Sequence, residues 1–166
     1  MRMPSWISTT NERDALNGFL DNQRDALVRK VRGVSDADAR RRATVSSISL
    51  LGLLKHSATW EQRWFQGVFA GQDLPDGWPG SERSAEDEEF VVDERDTVED
   101  WSARYLAAVE QSRRIAAAND LGAPGARPDV VECNLRFVLL HMIEETARHA
   151  GHADIIRETI DGARDL

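Results

Sequence analysis

The sequence has little cysteine and no long apolar run. Cys133 is its single cysteine, so no internal disulfide can form, which suits a reducing cytosol. No basic segment followed by an apolar one opens the chain, and no apolar run of about 18 residues could span a bilayer. We therefore expect a soluble, cytoplasmic protein. Cys133 lies in a predicted connector, and we interpret it as a small hydrophobic residue rather than a nucleophile.

Positive charge is also scarce. The chain has 21 basic and 29 acidic residues, a net charge of −8. Such a surface repels phosphate backbones and anionic lipid heads, so neither nucleic acid nor membrane is an expected partner. In a chain of 166 residues, 41% hydrophobic residues suffice for a proper core. The composition predicts one domain over residues 1–166.

No stretch shows the alternation of apolar and polar residues that is typical of a strand, and the sequence contains no internal repeat. Apolar residues instead recur at helical intervals, which predicts four main helices. The first, of about 20 residues, starts at a capping box, Thr9-x-x-Glu12, and ends before Gly33. The second runs from about Ser49 to Ala70, the third starts at Thr97-x-x-Asp100, and the last runs from near Leu135 to near Asp161, between Asn134 and Gly162.

The connector from Gly71 to Thr97 is unusually long. It contains Pro75, Pro79 and the acidic run 86–89, and no helical period survives in it. A connector of this length can return along a whole helix, which would let helices two and three run parallel. The sequence predicts an all-α four-helix bundle with a long crossover between helices two and three.

Three of the four histidines, His141, His149 and His152, fall within the predicted last helix. At about 100° per residue, with Glu145 as zero, they point to about −40°, +40° and −20°. The apolar stripe of the same helix centres near about +60°. His149 therefore lies within the stripe and Glu145 at its border, where a side chain can be half buried. His141 and His152 lie further toward solvent.

Glu145 and His149 are four residues apart, so their side chains can converge on one ion. A catalytic zinc site normally takes three protein ligands, and His56 lies about two turns into the predicted second helix. Two alternatives remain open. His56, about 120° from the centre of that helix's apolar face, reaches an interior crevice only if Leu53 and Trp60 also point inward. Otherwise the histidines are exposed or merely hydrogen-bonded.

Two segments resemble the DinB/YfiT-like superfamily of metalloenzymes: SISLLGLLKHSATWEQRWF at 47–65 and ARHAGHADIIRE at 147–158. The resemblance covers nearly the whole chain, and it implies a four-helix bundle that binds a divalent metal through His56, Glu145 and His149. Many members have histidine where this chain has Glu145. The glutamate version resembles the ligand set of mycothiol-dependent maleylpyruvate isomerase. Other members use bacillithiol or glutathione, so the resemblance implies thiol-dependent transfer or isomerase chemistry.

The expected chemistry follows from the ligand charges. Two neutral imidazoles and one carboxylate leave a divalent metal with a net charge of +1, which stabilises a thiolate or hydroxide. Zinc and nickel both suit these ligands, and mycothiol is the expected thiol cosubstrate. His152 is either a catalytic proton shuttle, a second donor near the metal, or a solvent-edge histidine. If His56 does not bind, the site would instead consist of Glu145, His149 and His152.

A rival hypothesis is a stress-related or partner-binding bundle without catalysis, in which the metal site is structural or vestigial. The two hypotheses differ in the open coordination position that an enzyme needs. We also expect a homodimer, since members of the resembled superfamily often dimerise. Trp6, Trp78 and Phe90 lie outside the helical core pattern, and such aromatic side chains need a surface to cover them.

Overall fold

The structure, a computed structural model, describes residues 10–78 and 90–164 and is helical over that part of the chain. It has five α-helices and one π-helix: α1 Glu12–Val31, α2 Asp36–Ala39, α3 Leu50–Gln62, the π-helix Arg63–Phe69, α4 Val98–Ala118 and α5 Leu135–Asp161. The described residues form no strand, and none of their helices is long and apolar enough to cross a membrane. The predicted all-α bundle is confirmed.

Side chains cap α4 and α5 at the positions where the sequence predicts them. Thr97 accepts a hydrogen bond from the backbone N–H of the residue three positions on, and Asn134 does the same at α5. Gly162 ends α5 at a φ of 75°, a left-handed conformation that glycine adopts without strain. The observed cap of α1 is Asn11, and the capping box predicted at Thr9 lies outside the described residues.

The predicted second helix, Ser49 to Ala70, divides into two helical forms. It is α-helical over Leu50–Gln62 and π-helical over Arg63–Phe69. A π-helix has i→i+5 hydrogen bonds, so a count of 100° per residue misplaces side chains beyond Gln62. π-helical turns also recur at functional sites, and this one starts two turns after His56.

Contacts at the helix ends fix the directions of the helices. Glu12 and Lys30, near the two ends of α1, pair with Arg136 and Asp154 in the same order along α5, so these two helices run parallel. The start of α3 packs in one apolar cluster with the start of α4, and Phe69 packs with the end of α4 in a second cluster. Helices α3 and α4 are therefore parallel, and the long connector is the predicted crossover.

A buried ion pair lies in the bundle interior. Glu61 of α3 is fully buried and accepts hydrogen bonds from the guanidinium of Arg24 in α1, which is 4% exposed. Arg24 also pairs with Asp21. A partner on a neighbouring helix therefore compensates the buried charge of Glu61. His56, five residues earlier on α3, meets His149 of α5.

Candidate functional site

A cavity of about 440 Å³ opens between α3, α5 and the end of the crossover. Its walls combine aromatic and apolar side chains with imidazoles, one carboxylate and one guanidinium. They are formed by His56, Ser57, Trp60, Trp64, Phe90, His141, Met142, Glu145, Thr146, Arg148 and His149. All three predicted metal ligands therefore line one cavity. Its size is within the range of small-molecule sites.

His56 reaches the cavity from α3 although it lies off the main apolar face of its helix. Leu53 is fully buried and Trp60 is partly buried, so the condition for an inward His56 is met. The imidazole of His56 lies edge-on to that of His149, with ring centroids 4.7 Å apart. Phe90 stacks on its face at 4.2 Å. The crossover thus encloses a side of α3 that its own sequence would leave exposed.

Glu145 and His149 reach the same cavity from successive turns of α5. The Nε2 atom of His149 lies 3.4 Å from a carboxylate oxygen of Glu145. Glu145 also accepts a 3.0 Å hydrogen bond from Arg148. Donor atoms from His56, Glu145 and His149, one from each, all lie within 4.8 Å of one another. The structure therefore brings the three predicted ligands together.

Both imidazoles of this group are held neutral. Burial, together with the smaller effects of the His149 and Arg63 charges, lowers the pKa of His56 to about 3. Burial also lowers the pKa of His149, and Glu145 opposes that shift without reversing it. A metal ligand must be deprotonated. Near neutral pH both histidines offer a lone pair without first losing a proton.

The donor set fits a divalent metal. Both ring nitrogens of His149 are buried, and among the described residues neither has a hydrogen-bond partner in good geometry; the Glu145 carboxylate oxygen lies 3.4 Å from Nε2. Buried polar atoms without partners are uncommon, and an ion or a water molecule normally satisfies them. A divalent ion such as zinc accepts two imidazole nitrogens and one carboxylate oxygen. The residues that would hold it are His56, Glu145 and His149.

The other two histidines and the cysteine lie in different surroundings. His141 lines the cavity, with its ring 4.3 Å from that of Trp64. His152 is exposed and outside the cavity lining, with its ring 6.0 Å from that of His149. Cys133 packs against an apolar cluster, and burial raises the pKa of its thiol. This disfavours the thiolate and agrees with a hydrophobic role for Cys133.

Reasoning from the sequence missed the aromatic walls of the site. Trp78 and Phe90, which the sequence leaves without intramolecular partners, contact Trp60 and His56 respectively. They therefore give no support to a dimer. Trp6 lies outside the described residues. The only sequence signal for Phe90 is its place at the end of a long connector, where functional residues often lie.

Comparison with known proteins agrees with this geometry. The chain matches the mycothiol S-transferase family model over residues 15–162. It is similar in fold to a conserved protein from Enterococcus faecalis, with a TM-score of 0.65 and 17% identity, over 93% of this chain and 100% of that one. At this identity the likeness shows the fold alone. No curated protein matches in sequence. Since the family model spans nearly the whole chain, the protein belongs to the mycothiol S-transferase family, of the DinB/YfiT-like type.

Proposed function

We propose that this protein is a metal-dependent S-transferase that joins a small thiol to an electrophile. The observation that carries the proposal is the set of donor atoms from His56, Glu145 and His149 within 4.8 Å at the wall of an open cavity. A structural metal site is closed by protein ligands, whereas a catalytic one keeps a position for substrate. Three ligands beside a cavity of about 440 Å³ support the catalytic alternative.

A divalent ion held by these residues would lower the pKa of a thiol in its open position, so that a thiolate is present near neutral pH. A divalent ion with two neutral imidazoles and one carboxylate as ligands would have a net charge of +1. Trp60, Trp64 and Met142 exclude water from one side of the cavity and offer an apolar surface to the electrophile. The sulfur forms the new S–C bond while the leaving group departs with the bonding electron pair.

The proton that the thiol loses must reach the solvent or the departing leaving group, and its transfer requires a side chain with access to water. We assign it to His152, which is exposed and lies one turn from His149. His141 lines the cavity itself and is the competing donor. Removing the proton-transfer residue should lower turnover and leave the metal content unchanged. His152→Ala should show this behaviour if His152 is the group, and His141→Ala if His141 is.

The cosubstrate and the metal are the finer parts of the proposal. Family membership supports mycothiol as the thiol, and imidazole and carboxylate ligands suit both zinc and nickel. Because thiols are kept reduced in the cytoplasm, we propose that the reaction takes place there. We also propose a homodimer, since α5 exposes Phe137, Leu140 and Ile155.

The test is metal content followed by turnover. Protein purified without added metal is titrated with Zn²⁺ and Ni²⁺, and the bound ion is measured by elemental analysis. We expect one ion per chain in the wild type, and loss of the ion in His56→Ala, Glu145→Ala and His149→Ala. His141→Ala and His152→Ala should keep it. Mycothiol and a panel of electrophiles then test turnover.

Each outcome decides a separate point. Absence of bound metal under all conditions would refute the enzyme proposal. Full metal content in His56→Ala together with loss in His152→Ala would replace His56 by His152 as a ligand. If His141→Ala rather than His152→Ala keeps metal and loses turnover, the proton donor is His141. Circular dichroism checks that each variant remains folded, which we expect of a bundle with this much buried apolar surface.

A further inference from the structure

Phe90 covers the imidazole of His56 with its ring face. The two rings are 4.2 Å apart between centroids and inclined by 13°, which is a stacked arrangement. Phe90 also meets the ring of His149 edge-on at 6.0 Å. It is therefore in contact with both imidazoles of the donor set, although it provides no donor atom itself. Stacked and edge-on pairs at these distances are the favoured geometries of aromatic rings.

The backbone of Phe90 is held against α3 at a glycine. A Cβ atom placed on Gly52 would lie 2.5 Å from the carbonyl oxygen of Phe90, a distance that two such atoms do not adopt. Gly52 is one helical turn before His56. Any larger residue at position 52 must therefore push the backbone of Phe90 away from the helix.

The chain after Phe90 is fixed to the same stretch of α3. Asp96 accepts hydrogen bonds of 2.8 Å from both the Lys55 ammonium and the Trp101 indole. Lys55 directly precedes His56. The close approach at Gly52 and the ion pair at Lys55 therefore hold the end of the crossover at Phe90 itself and six residues after it. The ring of Phe90 has a defined place relative to His56.

We propose that Phe90 is a positioning residue, which fixes the ring plane of His56 so that a ring nitrogen faces Glu145 and His149. The proposal rests on the metal site of the proposed function. The terminal torsion of a histidine is broad and roughly two-fold, and a ligand must be held within about 10–20° of its productive orientation. A stacked ring restricts that torsion. Removing such a support typically lowers metal affinity about 10–100-fold.

Three variants separate stacking from simple filling of space. Phe90→Tyr keeps an aromatic face, Phe90→Leu keeps apolar volume without that face, and Phe90→Ala removes both. Zn²⁺ affinity is measured by competition with a chromophoric chelator. We expect Phe90→Leu and Phe90→Ala to lower affinity roughly 10–100-fold, and Phe90→Tyr to stay within a few-fold of the wild type. Equal affinity of Phe90→Leu and the wild type would overturn the proposal.

A second readout needs no metal. A phenyl ring stacked on His56 should shift the NMR signals of the His56 ring protons upfield, and metal-free Phe90→Leu should lose that shift. If these signals do not move, the rings are not stacked and the inference fails. If they move and the wild type binds no metal, the stacking is real, but the metal site it was meant to serve fails with the proposed function.

Gly52→Ala tests the same arrangement without changing Phe90 or His56. The added methyl group must displace the Phe90 carbonyl, so the His56 signals should move and Zn²⁺ affinity should fall in the same sense as in Phe90→Leu. Gly151→Ala is the matched control, because it also lies in a helix and its Cβ would meet nothing within 4 Å. Identical behaviour of the two alanine variants would refute the role of the close approach at Gly52.

Discussion

Protonation of His56 should make the metal-free protein less stable in acid. The imidazole has a pKa of about 3 when folded and about 6.5 when unfolded. As pH falls from about 6.5 toward 3, the His56 imidazole becomes protonated in the unfolded state but stays neutral in the folded state. The free energy of unfolding therefore decreases. Between pH 7 and pH 5 this amounts to about 2 kcal/mol. Any folded pKa well below 5 gives nearly the same figure, because the folded state then stays unprotonated across the interval.

The assay is urea unfolding of metal-free protein at pH 7 and at pH 5, in the presence of a chelator. The variant His56→Gln, which is neutral throughout this interval, removes the titrating group, so it should lose about 2 kcal/mol less than the wild type between pH 7 and pH 5. Parallel pH profiles for wild type and His56→Gln would refute the conclusion that His56 is buried and neutral.

Three further predictions concern the bundle. Glu61→Leu should destabilise the protein by about 3 kcal/mol, the lower end of the cost of breaking a buried ion pair, because the buried Arg24 guanidinium then keeps only Asp21 as a charged partner. In urea unfolding, adding Arg24→Met should recover most of that loss, and a double variant as unstable as the single one would contradict this. Asn134→Ala removes the cap of α5 and should cost about 1 kcal/mol, whereas Asn134→Ser should be close to neutral. Sedimentation at micromolar concentration should give twice the 18.6 kDa monomer mass, and a clean monomer would refute the dimer.

Local features of the chain could be predicted because they depend on neighbouring residues alone. The caps at Thr97 and Asn134 satisfy N–H groups three residues away, and Gly162 ends a helix through its own backbone conformation. The pairing of Glu145 with His149 follows from helical periodicity. The crossover also follows from local information, since its length suffices to return along a helix.

Tertiary contacts decided the surroundings of His56. On its own helix this residue lies away from the main apolar face, and no count along α3 reveals that Phe90, 34 positions later, covers it. The π-helix after Gln62 likewise breaks the regular count from which faces are predicted. The two aromatic residues Trp78 and Phe90 were predicted to need a partner surface, and they found it within the same chain.

The sequence alone therefore determined the helices, their caps and the two candidate donors on α5, because those depend on contacts within a few residues. It offered His56 as the third donor but left open whether that side chain faces the crevice, and the resemblance to a family favoured the inward position. The tertiary structure decided that His56 meets Glu145 and His149, since the burial of a side chain depends on whichever distant segment packs over it. It also decided that His141 lines the cavity and His152 does not. Angular position along one helix cannot distinguish these two, because the walls of the cavity come from other parts of the chain.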